Sequence, residues 1–300
     1  MIRDSKGTEN YWAKWIDFEN NTMARRLKQI EQPSGNPRYR PQFVYEMSNS
    51  CYEQILRKYS HGDSVASFNE NFELLISLWE KAEELGKDVW TPEAQFMRHS
   101  WEKNLDHYIC CFWLVGLAYA LEIPDPLLDR LLTLIGNEGK DELLDRAIAV
   151  RQSGRAIGKK LCHPKPYQRL LAAVYANTQA EGARALKDFV DHWYAELDRP
   201  PQKGRIEATA MYERPYWYEY GNENFEGGAY FGRWCVEAVA AVKAFGLDDS
   251  LCLGHPAYPG DLLRPNGPTT HPLCDPGLVS STTTDVTQQQ GWLSRFFTRR

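Results

Sequence analysis

The stretch GAYFGRWCVEAVAAVKAFGLDDSLCLGHPAYPGDL, residues 228–262, decides how the chain reads. An apolar run predicts a helix from about Ala229 to Phe245. Gly246 stands where a helix-terminating glycine belongs. Asp248 and Asp249 then form a turn, and a Pro/Tyr-rich loop closes at Asp261-Leu262. One helix followed by irregular backbone, with no alternating strand pattern, is the local signature of a helical protein.

The same signature extends outward. Leu74, Leu75, Leu78 and Trp79 recur at helical spacing, as do Leu127, Leu128, Leu131, Leu132 and Ile135. Gly86, Gly136 and Gly246 each follow an apolar turn, and Thr91-Pro92-Glu93 and Asp125-Pro126 read as helix starts. No β-branched alternation bounded by turn residues occurs. The fold class is therefore all-α, with about ten helices. They are expected at Tyr11–Ile30, Gln42–Tyr59, Ser64–Leu85, Glu93–Leu121, Leu127–Ile135, Asp141–Arg151, Tyr167–Ala176, Ala180–Asp198, Ile206–Glu213 and Ala229–Phe245.

A faint repeat suggests two helical halves. Phe72, Leu75, Ile76 and Trp79 match Leu186, Phe189, Val190 and Trp193, and residues 120–125 match 244–249. One helical domain is expected over residues 1–264. It has an N-terminal part to about 135 and a C-terminal part over about 165–264. Residues 265–300 read as a flexible Pro/Ser/Thr-rich tail. The tail ends in GWLSRFFTRR, which sets Trp292, Leu293, Phe296 and Phe297 beside three arginines.

The 300 residues carry a net charge of −5. That balance argues against a dedicated nucleic-acid binder, which needs cations to displace phosphate counterions. The charge is uneven: residues 140–187 hold ten basic and four acidic side chains, while residues 213–249 hold three and seven. The odd count of seven cysteines in a chain this long fits a reducing compartment rather than a disulfide scaffold. The first residues lack a basic-then-apolar signal, and the apolar run Ile109–Leu121 is too short to span a bilayer. A cytoplasmic location without membrane contact is expected.

Few constellations suggest catalysis. Cys252-x-x-His255 and His271-x-x-Cys274 have a loose zinc spacing, but their mixed order gives no recognised metal motif, so no metal and no cofactor is expected. Cys162-His163 are sequence neighbours and lack a third group. Glu219, Glu223 and Glu226 among aromatics could be the paired carboxylates of a helical glycosidase, which keeps a hydrolase reading open. A helical adaptor is the other alternative. Glu237 lies inside an apolar helix, where a carboxylate needs a buried donor such as an Arg or a Trp indole.

The block at 228–262 resembles the C-terminal signature of the PoNi-type immunity proteins, which neutralise PoNe-type DNase toxins. Its matching residues include Tyr230, Trp234, Glu237, Asp248, Asp249, Tyr258 and Asp261, which are expected to maintain the fold. The Tyr216-Trp217-Tyr218 patch fits as well. A looser match begins at Met1-Ile2-Arg3-Asp4, and the tail beyond Arg264 is outside the resemblance. It implies a bacterial immunity protein made beside a polymorphic DNase of the PD-(D/E)xK type, such as one delivered by a type VI secretion system. Inhibition would be non-covalent occlusion, without turnover. Acidic side chains interleaved with aromatics suit capture of a basic nuclease surface. The contact residues expected on that basis are Glu213, Tyr216, Trp217, Glu219, Tyr220, Glu223 and Glu226. Glu70, Glu73, Glu80 and Glu84 form a reserve acidic surface.

Overall fold

The computed structural model describes residues 1–198, 214–222 and 225–272. Five helices begin where a short polar side chain accepts a first-turn N–H. Thr8 caps α1 (Glu9–Ile30), Thr91 caps α4 (Pro92–His99) and Asn104 caps α5 (Leu105–Ala120). Asp141 caps α7 (Glu142–Ala149) and Thr178 caps α9 (Gln179–Glu196). The others are α2 (Arg40–His61), α3 (Asn69–Gly86), α6 (Asp125–Ile135), α8 (Pro164–Val174) and α10 (Val236–Phe245). No strand occurs among the described residues, and the chain is all-α.

Two departures from the sequence reading have local causes. The single helix expected over Glu93–Leu121 is two helices. Asn104 breaks it, since its Oδ1 accepts the His107 N–H at 2.9 Å while its Nδ2 donates back to the Arg98 carbonyl at 3.0 Å. One side chain thus closes α4 and opens α5. The helix expected from Ala229 begins only at Val236. Residues before it are held open by other partners. The Tyr230 carbonyl accepts from the Tyr11 hydroxyl, the Phe231 carbonyl from Ser60, and the Cys235 N–H donates to the Ala257 carbonyl. Gly232 has φ +106°, and a Cβ there would lie 2.2 Å from the Trp234 indole nitrogen, so only glycine fits. The helix expected over 206–213 lies outside the described residues.

A helical hairpin followed by a buried helix occurs twice. The α2/α3 hairpin precedes α5, and the α8/α9 hairpin precedes α10. The residues aligned by the repeat, Phe72, Leu75, Ile76 and Trp79 against Leu186, Phe189, Val190 and Trp193, are all buried. Helix α5 is apolar on nearly every side because it is surrounded, as a central helix must be. It crosses α10 closely at Gly116, where a Cβ would meet the Val236 carbonyl at 2.7 Å. No helix among the described residues is long and apolar enough to cross a membrane.

Candidate functional site

Residues of the 228–262 block tie the first residues of the chain to the last described ones. Asp261 accepts from Arg3 Nε at 2.7 Å, from the hydroxyls of Thr269 and Thr270, both at 2.8 Å, and from the Thr270 N–H at 2.6 Å. Burial pushes this carboxyl up, but these donors outweigh it and hold its pKa below the ordinary value. Asp249 behaves alike: Arg264 donates to both its oxygens, at 2.6 and 2.8 Å, and the Tyr258 hydroxyl adds a bond at 2.5 Å. Tyr230 donates to Asp4 at 2.6 Å and Trp234 to Ser60 at 2.8 Å. Asp248 is exposed and accepts the Ser250 N–H, which shapes the turn after Gly246.

Glu237 is wholly buried at the crossing of α5, α8, α9 and α10. Its Oε2 accepts from the Trp113 indole at 2.9 Å. Its Oε1 accepts from the Trp193 indole at 3.1 Å and the Tyr167 hydroxyl at 3.0 Å. The donors are indoles and a phenol; no salt bridge reaches Glu237 among the described residues. Burial raises its pKa to about 7, with the three aromatic donors pulling the other way.

Segment 214–222 lies against α2, α5 and α9. The Tyr216 N–H donates to Asp106 at 3.1 Å, and its hydroxyl donates to Glu53 at 2.5 Å and lies 3.0 Å from the Tyr52 hydroxyl. Tyr216 is 46% exposed, whereas Trp217 is only 3% exposed. The Trp217 ring is held among Trp113, Trp193 and Phe231, at centroid distances of 5.1, 6.1 and 6.3 Å. Trp217 therefore does not face solvent as the contact reading had it. It anchors the segment that presents its neighbours, because a ring this large is better packed in the core than left in water. Tyr220 is half-buried against Phe231, and Glu219 pairs with Arg214 at 2.9 Å. Glu226 is exposed on the 3-10 turn Phe225–Gly227. Glu213 and Glu223 lie outside the described residues.

The structure adds two acids that the sequence reading missed. Glu53 on α2 accepts from the Tyr216 hydroxyl and Asp106 on α5 from its N–H. Burial raises both pKa values, that of Asp106 to about 7, and no cation pairs with either among the described residues. Asp106 opens an apolar helix, whereas Glu53 lies among polar neighbours and carries no such signal in the sequence. Of the reserve acids, Glu80 pairs with Arg130 at 2.7 Å and Glu84 with Lys87. Glu73 is exposed, and Glu70 lines a cleft beside α2.

The other chemical candidates are occupied elsewhere. The His255 Nδ1 accepts the Ala257 N–H, and the His271 Nε2 lies 2.7 Å from the Tyr59 hydroxyl. Cys252 is buried, and Cys274 lies outside the described residues. Among the described residues, no group of three or more His, Cys, Asp or Glu could hold a metal ion. The Cys162 Sγ contacts the Lys140 carbonyl, while the His163 Nε2 lies 2.6 Å from the Trp101 carbonyl, so the two do not face each other. Burial pushes the Cys162 thiol well up, away from the reactive thiolate form.

The fold is that of an all-helical protein whose buried polar groups tie distant parts of the chain together. Two family models match it: "PoNe immunity protein (PoNi), N-terminal" over residues 3–133 and "PoNe immunity proteins (PoNi), C-terminal" over residues 139–262. The chain belongs to the PoNe immunity proteins. Among solved structures it is similar to protein PA2201 from Pseudomonas aeruginosa. The identity is 18% and the TM-score 0.63, over 88% of this chain and 89% of that one, so the likeness is one of fold. No curated protein matches.

Proposed function

We propose that this protein binds a cognate PoNe-type DNase and occludes its active or DNA-binding site without turnover, in the cytoplasm of the cell that makes both. The toxin would be a PD-(D/E)xK nuclease of the kind delivered by type VI secretion. The observation that carries the reading is the pair of family matches, which together run from residue 3 to residue 262. The acidic, aromatic face built on segment 214–222 supports it. A DNase must present a basic surface to DNA. Tyr216, Tyr220, Glu219 and Glu226 offer that surface aromatic anchors and negative charge, with Glu53 and Asp106 holding Tyr216 in place. Glu213 and Glu223 belong to the same contact reading. Acidic steering speeds capture, and packed aromatics slow release.

Co-expression with the nuclease encoded beside the gene tests this, with affinity capture and a plasmid-integrity assay. A stoichiometric complex with intact plasmid is the expected result. Degraded plasmid and no complex would overturn the pairing. Within a proven complex, Glu219→Lys with Glu226→Lys should slow association at low salt by about tenfold, since both charges sit at the rim. An unchanged rate in that folded variant would remove the face from the interface.

A further inference from the structure

One exposed carboxylate, Glu102, stands among three exposed lysines, Lys103, Lys140 and Lys160. The Lys160 Nζ pairs with its Oε1 at 3.2 Å. Lys160 most strongly, then Lys140 and Lys103, hold the Glu102 carboxyl below its ordinary pKa, as cations close to a carboxylate do. Lys103 and Lys140 make no salt bridge among the described residues. Three cations thus share one acid, and the cluster keeps an excess of positive charge at an exposed surface.

Its members precede three different helices, α5, α7 and α8, yet the backbone beneath them is fixed. The Gly139 N–H donates to the Ala156 carbonyl at 3.1 Å, and the Glu142 N–H donates to the Lys160 carbonyl at 2.9 Å. Between these bonds a Cβ on Gly158 would lie 2.4 Å from the Asp141 nitrogen, so the two segments touch backbone to backbone. Buried Asp145 locks the contact. Its Oδ2 accepts the N–H groups of Asp141 and Gly158, at 3.0 and 3.2 Å, while its Oδ1 pairs with Arg155 at 2.7 Å. Lys140 and Lys160 therefore rise from ordered backbone, which lowers the entropy cost of using them in a contact.

The cluster adjoins the face built on segment 214–222. Lys103 lies three residues before Asp106, which accepts the Tyr216 N–H, so at ~3.8 Å per residue their Cα atoms are at most ~11 Å apart. A standard interface covers about 800 Å² on each partner, about 30 Å across, which is wide enough for both. A metal-dependent nuclease has the matching layout: carboxylates hold its cation, set within the basic surface that receives DNA. Glu219 and Glu226 suit the basic surround, and the lysines suit the carboxylates.

Resting on the immunity reading, we propose that Lys103, Lys140 and Lys160 seat on the metal-binding carboxylates of the toxin's active centre. The inhibitor then blocks that centre directly and competes with its divalent cation.

Affinity for the nuclease encoded beside the gene, measured in EDTA and in Mg²⁺ at matched ionic strength, tests this. In EDTA, Lys140→Ala with Lys160→Ala should raise the dissociation constant about tenfold. Glu102→Gln removes the carboxylate that competes for the lysines and should lower it several-fold. Mg²⁺ should weaken the wild-type complex several-fold and leave the lysine variant's affinity unmoved. The substituted side chains are exposed, and an opposite effect at Glu102 cannot come from misfolding. Wild-type affinity in the lysine variant, a weaker complex with Glu102→Gln, or equal weakening of both chains by Mg²⁺ would overturn the proposal and leave the immunity reading standing. Absence of any wild-type complex would overturn both.

Discussion

Replacing Glu237 by Gln should remove a pH dependence that the wild-type chain carries in its core. The carboxyl is wholly buried, and its pKa rises from the ordinary 4.5 to about 7, chiefly through burial. The folded state therefore keeps this proton at pH values where the unfolded chain has released it. Rising pH favours the unfolded state across that window. The contribution is fully present below about pH 4.5 and lost as the pH rises through about 7. At about 1.4 kcal/mol per pH unit, the window corresponds to roughly 3 kcal/mol. Gln cannot titrate. Its amide oxygen can keep the bonds from Trp193 and Tyr167, but its NH₂ then meets the Trp113 indole donor. That mismatch costs about 1–3 kcal/mol at every pH. Urea unfolding of both proteins at intervals from pH 4.5 to 8 separates the two effects. Wild type should be the more stable near pH 5, and its advantage should shrink by roughly 3 kcal/mol toward pH 8. Parallel pH profiles would refute the reasoning, because they would mean that Glu237 does not change its proton uptake on folding.

Further outcomes follow from the same packing. Trp217→Ala should cost about 3–5 kcal/mol in urea unfolding, because the ring fills space among Trp113, Trp193 and Phe231. A loss under about 1 kcal/mol would place the ring at the surface instead. Gly116→Ala should destabilise by about 1–3 kcal/mol, since its Cβ would meet the Val236 backbone and force α5 and α10 apart; thermal melting reads this directly. Arg3→Ala should cost about 3 kcal/mol and move acid unfolding to higher pH. Asp261 is held below its ordinary pKa, so its contribution is complete above the usual carboxylate range and lost as pH falls. An acid midpoint that does not move would show that Arg3 is not what keeps Asp261 ionised.

The sequence by itself determined the helical class, because periodicity and caps are local properties. Thr91, Asp141 and Thr178 each bond to N–H groups within a few residues of themselves, and Gly246 takes its left-handed conformation at the end of α10. The family resemblance was legible for a similar reason, since its signature is contiguous. Glu237 in an apolar helix announced that buried donors must exist, because an isolated buried carboxylate is too costly. Which donors they are was decided only in three dimensions, where α5, α8 and α9 bring Trp113, Tyr167 and Trp193 to it. Tertiary contacts also overrode local preference at 229–235, where Tyr11, Ser60 and Ala257 claim the backbone before a helix can. The contact face divided in the same way. Tyr216 and Trp217 are adjacent aromatics with similar sequence surroundings, yet one meets solvent and the other enters the core. Glu53 and Asp106, 53 residues apart in the chain, share Tyr216 as a partner only because the fold sets that residue against α2 and α5. Capping and periodicity act over a few residues, whereas burial depends on what the rest of the chain places alongside.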